Sequence, residues 1–535
     1  MLEETNSETA PKEVVNALVT LYHQKKYEDV LSRSSQLIQK YPNTYSFYNI
    51  LGAISYEKGD RGEAVKLFRK VIELRPNHPH AYNNLGATLI DLGEYVKALE
   101  VFERAIELKP NYAEAYNNIG NVYQKLKKYN QAIENYKQAI KLNSDYYEAH
   151  NNMGITLGKN EQNKEAEKIL KKVIQINPEL VDGYISLGAI LTKLQKYEEA
   201  EKIIKMVIQI NPELADGYIS LGTILTNLQK YEEAKKVLRK SIRLYPKNSD
   251  SYFYLGVLYS KINISKFAVR YFTKALKFDP KNAEIYYNLG INLTKVGLLK
   301  KAARNFNMCL KIDSSHQTAS HLYNSLLGFT TKSAPKEYIT SLFDYYAKNF
   351  EKSLVHNLNY NIPREIKNLL INNSFKSLGT ILDLGCGTGL VGLEFKKHCN
   401  YIEGVDLSTY MIEEAKQKKI YNKLIQTEII DYLKTHTLNF DYFLAADVFI
   451  YVGDLHEVFR LIKKRNKKSG HLVFSTEHNI KNSYILEKTG RYSHSKNYIK
   501  SLCEKFNFTI INFKKTKIRK EKNKYIEGAL YNLKF

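Results

Sequence analysis

From about residue 43 the apolar positions of this chain recur at the three-and-four spacing of amphipathic helices, and that recurrence itself repeats. In AYNNLGATLIDLGEYVKALEVFERAIELKP two apolar stripes flank a polar turn, and Pro110 ends the second. Glycines stand at Gly52, Gly86, Gly120, Gly154, Gly188, Gly222, Gly256 and Gly290, each 34 residues after the last. Alanines keep the same step from Ala64 and Ala98 through Ala302, and prolines follow it at Pro42, Pro76, Pro110, Pro178, Pro212, Pro246 and Pro280. The pattern predicts one helical pair per unit, with Gly86 and Ala98 where the two helices approach closely. A lone pair buries too little apolar surface, so stacked copies share a continuous core and wind into a superhelix with a concave face. About eight units and a capping helix fill residues 43–328, and residues 1–42 keep the pattern only loosely, as a degenerate cap.

A different rhythm follows. Residues 329–337 read as a linker, within which Pro335 opens a helical stretch, EYITSLFDYYAKNFEKSL. From Thr380 short apolar runs (TILDL, YIEGV, KLIQTEI, DYFLAA, HLVFST, FTIINF, YIEGALYNL) alternate with helical segments near 390–398, 408–418, 454–466 and 495–506. Strand alternating with helix predicts a doubly wound parallel sheet over residues 338–535. The expected fold is therefore an α-helical superhelix followed by an α/β, Rossmann-like domain.

Composition changes this picture in one respect. A chain of 535 residues with 44% hydrophobic content is too long for one core and too apolar for disorder. Its 80 Lys plus Arg against 56 Asp plus Glu give +24, which raises nucleic acid as a partner. Residues 331–535 hold 34 Lys plus Arg and 21 Asp plus Glu, so the excess divides almost evenly between the halves. The basic runs KKRNKK at 463–468 and KKTKIRKEKNK at 514–524 are dominated by Lys and lack interleaved aromatics, so they read as solvated surface and nucleic acid is disfavoured. Four cysteines without C-x-x-C spacing suggest neither a metal cluster nor a disulfide framework, and fit a reducing compartment. MLEETNSETA lacks the basic and apolar regions of a secretory leader, and no window offers the roughly 18 apolar residues of a membrane helix. Cytoplasm is the expected address.

The repeat carries a resemblance: from about Tyr41 to Ser314 the chain looks like tetratricopeptide repeats, with Tyr48, Tyr82, Tyr116, Tyr184, Tyr218, Tyr252 and Tyr286 where that family often has Trp. Asn84, Asn118, Asn152 and Asn288 precede the Leu/Ile/Met-Gly pair in four units. Side-chain amides donate and accept, so a row of them on the concave face could hold a protein or peptide partner by its backbone. Against this, Ser186, Ser220 and Tyr254 break the row, and the amides could equally be solvated or bond within the repeats.

The sheet domain carries a glycine loop, ILDLGCGTG, with Asp383 ahead of Gly385, Gly387 and Gly389, and Asp406 closes the next strand 23 residues on. Glycines there let backbone approach a ligand at the carboxyl edge of the sheet, and an acid at the next strand end suits two vicinal ribose hydroxyls. The region resembles class I S-adenosylmethionine-dependent methyltransferases, and LFDYYAKNFEKSL, AADVFIYVGDL and GRYSHS are similar to bacterial methyltransferases that carry N-terminal tetratricopeptide repeats. The resemblance implies S-adenosyl-L-methionine as cofactor. By matching position Gly385, Cys386 and Gly387 would line its methionine part, Asp383 would orient the loop, Asp406 would hold the ribose, and Leu407, Ile430 and Asp431 would meet the adenine. For the acceptor side, Asp447 after the fourth strand and His494 in GRYSHS, read as a lid loop, are the candidate bases. Asp447-Val448-Phe449-Ile450 is not the Asn/Asp-Pro-Pro-Tyr tetrapeptide of amine-methylating enzymes, so base methylation of DNA is disfavoured. The expectation is a methyltransferase acting on an O or N acceptor, with repeats that recruit a protein or peptide. Its rivals are a small-molecule enzyme whose repeats serve assembly, and an adaptor with an inactive domain.

Overall fold

The computed structural model describes residues 9–346, 360–371, 377–521 and 524–535, so the last part of EYITSLFDYYAKNFEKSL lies outside the described residues. The chain divides into two compact units, Met1–Leu258 and Tyr259–Phe535.

The first unit is a succession of helix pairs, from Lys12–His23 with Tyr27–Lys40 to Ala215–Asn227 with Tyr231–Leu244. The loosely patterned start is a full pair, closed by Leu18, Val30 and Phe47. Close packing explains the 34-residue glycines. A Cβ added at Gly120 would lie 2.5 Å from Cε1 of Tyr136, one at Gly86 the same distance from Phe102, and one at Gly222 the same distance from Cγ of Leu238, so the second helix seats a large side chain on the first. Ala98 and Ala132 are wholly buried in the same packing. The Tyr that stands in for Trp has a reason of its own: the hydroxyls of Tyr48, Tyr82, Tyr218 and Tyr252 donate to the carbonyls of Pro42, Pro76, Pro212 and Pro246, at 2.9–3.0 Å. In the unit that has Ser144 instead of Pro, His150 makes the equivalent bond to the Ser144 carbonyl.

The second unit begins with helices Ser265–Phe278, Ala283–Lys295, Leu299–Ile312 and Gln317–Leu327, then helices Lys336–Tyr346 and Ile362–Leu370 lead to the sheet. Its strands are β1 (Thr380–Leu384), β2 (Tyr401–Asp406), β3 (Lys423–Gln426), β4 (Tyr442–Ala445), β5 (His471–Asn479), β6 (Tyr484–Leu486), β7 (Tyr492–Ser495), β8 (Thr509–Glu521) and β9 (Lys524–Lys534). The order is β3-β2-β1-β4-β5-β7-β6, parallel through β3-β2-β1-β4-β5-β7, while β9 runs antiparallel to β5 and to β8. Chain order reverses between β1 and β4, and in such a sheet a crevice opens there beyond the carboxyl ends. Alternate residues feed two cores: Leu382, Leu384, Phe443 and Ala445 on one face, Ile381, Leu444 and Val473 on the other.

Two local expectations are corrected. GRYSHS is no lid loop, because Tyr492–Ser495 is a fully buried strand paired with β5 and β6. Of the run KKTKIRKEKNK, residues 514–521 lie in a 13-residue edge strand and Lys524 begins its partner, with Lys514, Lys515 and Lys517 exposed. Residues 329–337 are also more than a linker. The backbone of Ala334 donates to the Tyr451 carbonyl, that of Asp454 to Lys332, and that of Leu486 to the Thr330 hydroxyl, while Thr331 meets the Tyr492 hydroxyl at 2.6 Å. Short polar side chains and extended backbone suit such strapping better than a helix would.

Candidate active site

β1 runs straight into the glycine loop, which folds back on β2: the N–H groups of Gly385 and Cys386 both donate to the Val405 carbonyl, at 2.8 and 3.0 Å. Gly385 has φ +69°, and a Cβ there would sit 2.5 Å from a Val448 methyl, so no other residue fits. Asp406 ties the loop down. Its Oδ2 accepts the Gly387 N–H at 2.8 Å and its Oδ1 the Ser408 N–H at 2.9 Å. Asp383 lies fully buried under the loop, with Oδ2 taking the Tyr421 hydroxyl at 2.6 Å and Oδ1 buried without a partner among the described residues. Burial pushes its carboxyl up to about 7, against the Tyr421 bond and with the nearby Asp406 charge.

A cavity of about 390 Å³ opens at this edge. Gly385, Cys386, Gly387, Asp406, Leu407 and Ile430 line it, whereas Asp383 and Gly389 are not on its wall. Gly389 is the N-cap of helix Leu390–Phe395. The Cys386 thiol is pushed well up by burial, which keeps it protonated and a poor nucleophile. Asp431 is not on the wall: it sits exposed in helix Ile429–Thr435, 3.0 Å from Lys336, and the acid that faces the cavity is Glu428, the N-cap of that helix.

The rest of the lining includes Asp447, Val448, Ile450, Tyr451 and Val452 from the segment after β4, and Ile339, Leu342 and Phe343 of helix Lys336–Tyr346. Asp447 lines the cavity with φ +57°, a strained backbone for a non-glycine residue. The Ser475 hydroxyl donates to its Oδ1 at 2.9 Å and Arg519 Nη1 to its Oδ2 at 2.7 Å. Burial raises the Asp447 carboxyl and the Arg519 charge opposes that rise. His494, the other candidate base, is absent from the wall. It is wholly buried, its Nε2 faces the carbonyls of Val452 and Gly453 at 3.0 and 2.9 Å, and burial lowers its pKa to about 4. It is placed to brace the wall rather than to take a proton.

Sequence reasoning missed Arg491 and Arg519, both on the wall. The two are linked through Glu477, whose Oε1 accepts from Arg491 Nε at 2.8 Å and from Arg519 Nη2, and Arg491 Nη2 reaches Glu521 at 2.5 Å. Arg519 arrives there through a β-bulge: the β8 register shifts between Lys517 and Arg519, and Ile518 and Arg519 are buried in succession where strict alternation would expose one. A signal did exist, since Arg519 is the lone Arg in the Lys-rich run and follows an Ile.

A parallel sheet in the order 3-2-1-4-5, with this glycine loop and an acid ending the adjacent strand, defines the C-terminal region as a class I methyltransferase fold. Comparison with known proteins agrees. A family model described as "Methyltransferase domain" matches residues 375–527, and models described as "Tetratricopeptide repeat" match between residues 40 and 266. This chain thus joins tetratricopeptide repeats to a methyltransferase domain of the S-adenosylmethionine-dependent class. It is 30% identical over 172 residues to malonyl-[acyl-carrier protein] O-methyltransferase of Priestia megaterium, covering 30% of this chain and 58% of that enzyme. Over 113 residues it is 28% identical to the ubiquinone biosynthesis O-methyltransferase of Hydrogenovibrio crunogenus, covering 20% and 46% respectively. The chain spans about half the length of the curated relatives it matches. Among solved structures, a tetratricopeptide repeat protein from Parabacteroides merdae is 18% identical with a TM-score of 0.41, covering 46% of this chain and 98% of that one.

The cradle fits the cofactor of that class. Small residues that let a ligand approach the backbone form part of the wall, a carboxylate ends β2, and the Oδ1 of Asp383, without a partner among the described residues, is a buried acceptor that suits a nearby cation.

Among the described residues no helix is long and apolar enough to cross a membrane, and no group of three or more His, Cys, Asp and Glu could hold a metal. In the first unit the amides of the Asn row bond from repeat to repeat: Asn84, Asn118 and Asn152 donate to Asn49, Asn83 and Asn117 at 3.4, 3.0 and 3.1 Å. Asn288, in the second unit, bonds within its own helix to Glu284.

Proposed function

We propose that the chain transfers a methyl group from S-adenosylmethionine to an oxygen acceptor, and that its repeats recruit a protein or peptide. The observation that carries this reading is the convergence of the glycine loop and Asp406 with a second, differently built wall on one cavity. Gly385, Cys386 and Gly387 would hold the methionine part, Asp406 the ribose, and Leu407 and Ile430 the adenine. The bound cofactor supplies an electrophilic methyl on a sulfonium, so the protein's part is to orient an acceptor and keep water out. Ile339, Leu342, Phe343 and Tyr451 supply the apolar side of that enclosure. An oxygen acceptor is supported by the relatives, both O-methyltransferases by name. For the repeats, the support is the row of Asn84, Asn118 and Asn152, which the bonds between repeats hold in register.

Calorimetric titration of the full chain with S-adenosylhomocysteine tests the first half. Micromolar binding is expected, and absence of heat would overturn it. Incubation with tritiated methyl donor and cell extract tests the second: label should appear in a protein or peptide fraction. Replacing Asn84, Asn118 and Asn152 together by Ala should lower that label while leaving S-adenosylhomocysteine binding intact. Label unaffected by the triple change would remove the repeats from recruitment.

A further inference from the structure

Two arginines on the wall of a methyltransferase cavity call for an explanation that the cofactor cradle does not provide. Asp447, Arg519, Glu477, Arg491 and Glu521 form one alternating chain of charges across β4, β5, β8 and the turn before β7. Arg519 and Arg491 are its cations, and both reach the cavity. A guanidinium has five N–H donors. Each of these two commits two of them to carboxylates among the described residues, and both side chains line the cavity. Planar forks with donors to spare are the groups that bind a carboxylate in two-pronged fashion.

The wall is equally telling in what it withholds. A neutral hydroxyl or phenol must lose a proton on methylation, and the residue that takes it must give up its own charge to do so. Asp447 is ion-paired with Arg519 and accepts from Ser475, so taking that proton would cost it the pairing with the guanidinium. His494 is off the wall and turned to two carbonyls. Asp406 and Glu428 are tied to backbone N–H groups at the loop and helix that form the cofactor side. A carboxylate acceptor needs no base.

We propose that Arg491 and Arg519 hold a carboxylate-bearing acceptor, so that the product is a methyl ester; this rests on the methyl-transfer reading above. In the step, a carboxylate oxygen lone pair forms the new O–CH₃ bond as the S–CH₃ bond breaks, and the bonding pair returns to sulfur. An anion and a sulfonium become a neutral ester and a neutral thioether at the reacting centre, and no proton moves. The three carboxylates of the network outnumber its two guanidiniums, so recognition comes from fork geometry at close range rather than from a positive field.

Cofactors of this class carry a carboxylate too, and the test separates the two sources. Wild type and the variants Arg491→Lys and Arg519→Lys, which keep the charge and lose the fork, are titrated with S-adenosylhomocysteine and with 5′-methylthioadenosine, which lacks the amino-acid carboxylate. All three are then incubated with tritiated methyl donor and cell extract, and the labelled product is treated with mild alkali. Expected results are near-equal affinity of all three proteins for both nucleosides, release of the wild-type label as volatile methanol, and about a tenfold loss of that label in each variant. Alkali-stable label overturns the carboxylate acceptor while leaving methyl transfer standing. Weaker binding of S-adenosylhomocysteine but not of methylthioadenosine in the variants overturns it as well, because the arginines then hold the cofactor. No label and no nucleoside binding in the wild type is failure of the underlying reading instead.

Discussion

Replacing Asp383 by Asn should stabilise the cofactor-free protein at neutral and alkaline pH while weakening its hold on the cofactor. The carboxyl is fully buried, and burial lifts it from its ordinary 3.8 to about 7 despite the Tyr421 hydroxyl. Below about pH 3 the group is protonated whether the chain is folded or not and contributes no pH dependence. As pH rises past 3.8 the unfolded chain releases this proton and the folded one keeps it, so stability falls, levelling off above about 7. The interval of about 3 pH units corresponds to at most about 4 kcal/mol. Asp383→Asn keeps an oxygen for Tyr421 and removes the charge, so it should cancel this loss. Denaturation midpoints of wild type and variant, followed from about pH 2.5 to 9 without ligand, should coincide at the acid end and separate to a plateau. Each kcal/mol shifts the midpoint of a domain of this size by roughly 2–4 °C. Titration with S-adenosylhomocysteine should show weaker binding by the variant. A pH-independent offset between the two curves would refute the argument, since it would mean that the buried carboxyl titrates near its ordinary value.

Three further outcomes follow from single contacts. Gly120→Ala places a methyl 2.5 Å from the Tyr136 ring and should cost about 1–3 kcal/mol in urea denaturation; a cost below about 0.5 kcal/mol would show that the helix pair yields freely. Ser186→Asn should stabilise the repeats by about 1 kcal/mol: it stands 35 residues after Asn151, whose Oδ1 is buried without a partner, and the same step joins Asn118 to Asn83 and Asn152 to Asn117. An unchanged midpoint would mean that the orphaned oxygen is already satisfied. His494→Gln keeps an N–H for the Val452 and Gly453 carbonyls and should leave S-adenosylhomocysteine affinity within about twofold, whereas a loss beyond about tenfold would give the ring a part in the site.

Local signals were the legible ones. The 34-residue step revealed the helix pairs because the Gly must admit a large side chain from sixteen residues on, a ring at Gly52, Gly86, Gly120 and Gly290 and a Leu or Ile at Gly154, Gly188 and Gly222, a constraint that keeps the residue small. The glycine loop and Asp406 were readable for a similar reason: a chain turning from β1 back onto β2 needs positive φ and a fixed anchor within a few residues. Asp431 was misplaced because sequence counts positions from a strand end, whereas the cavity is reached from helix Ile429–Thr435 by its N-cap, Glu428. His494 looked like a catalytic base because nothing in GRYSHS discloses that the segment pairs between β5 and β6.

By itself, then, the sequence determined the classes of element, the repeat and the glycine loop with its anchoring Asp406, since all of these depend on residues within one or two turns or strands of each other. Tertiary structure alone decided the far wall. Arg519 reaches Asp447 across 72 residues and Arg491 reaches Glu477 across 14, both by way of a sheet whose last strands double back antiparallel and whose bulge turns one Arg of a Lys-rich edge inward. The same holds for the supposed linker, whose polar residues look unconstrained until β6, β7 and the segment after β4 supply their partners. Periodicity records what a residue's neighbours along the chain require, and the register of distant strands is set by the packing of the whole sheet.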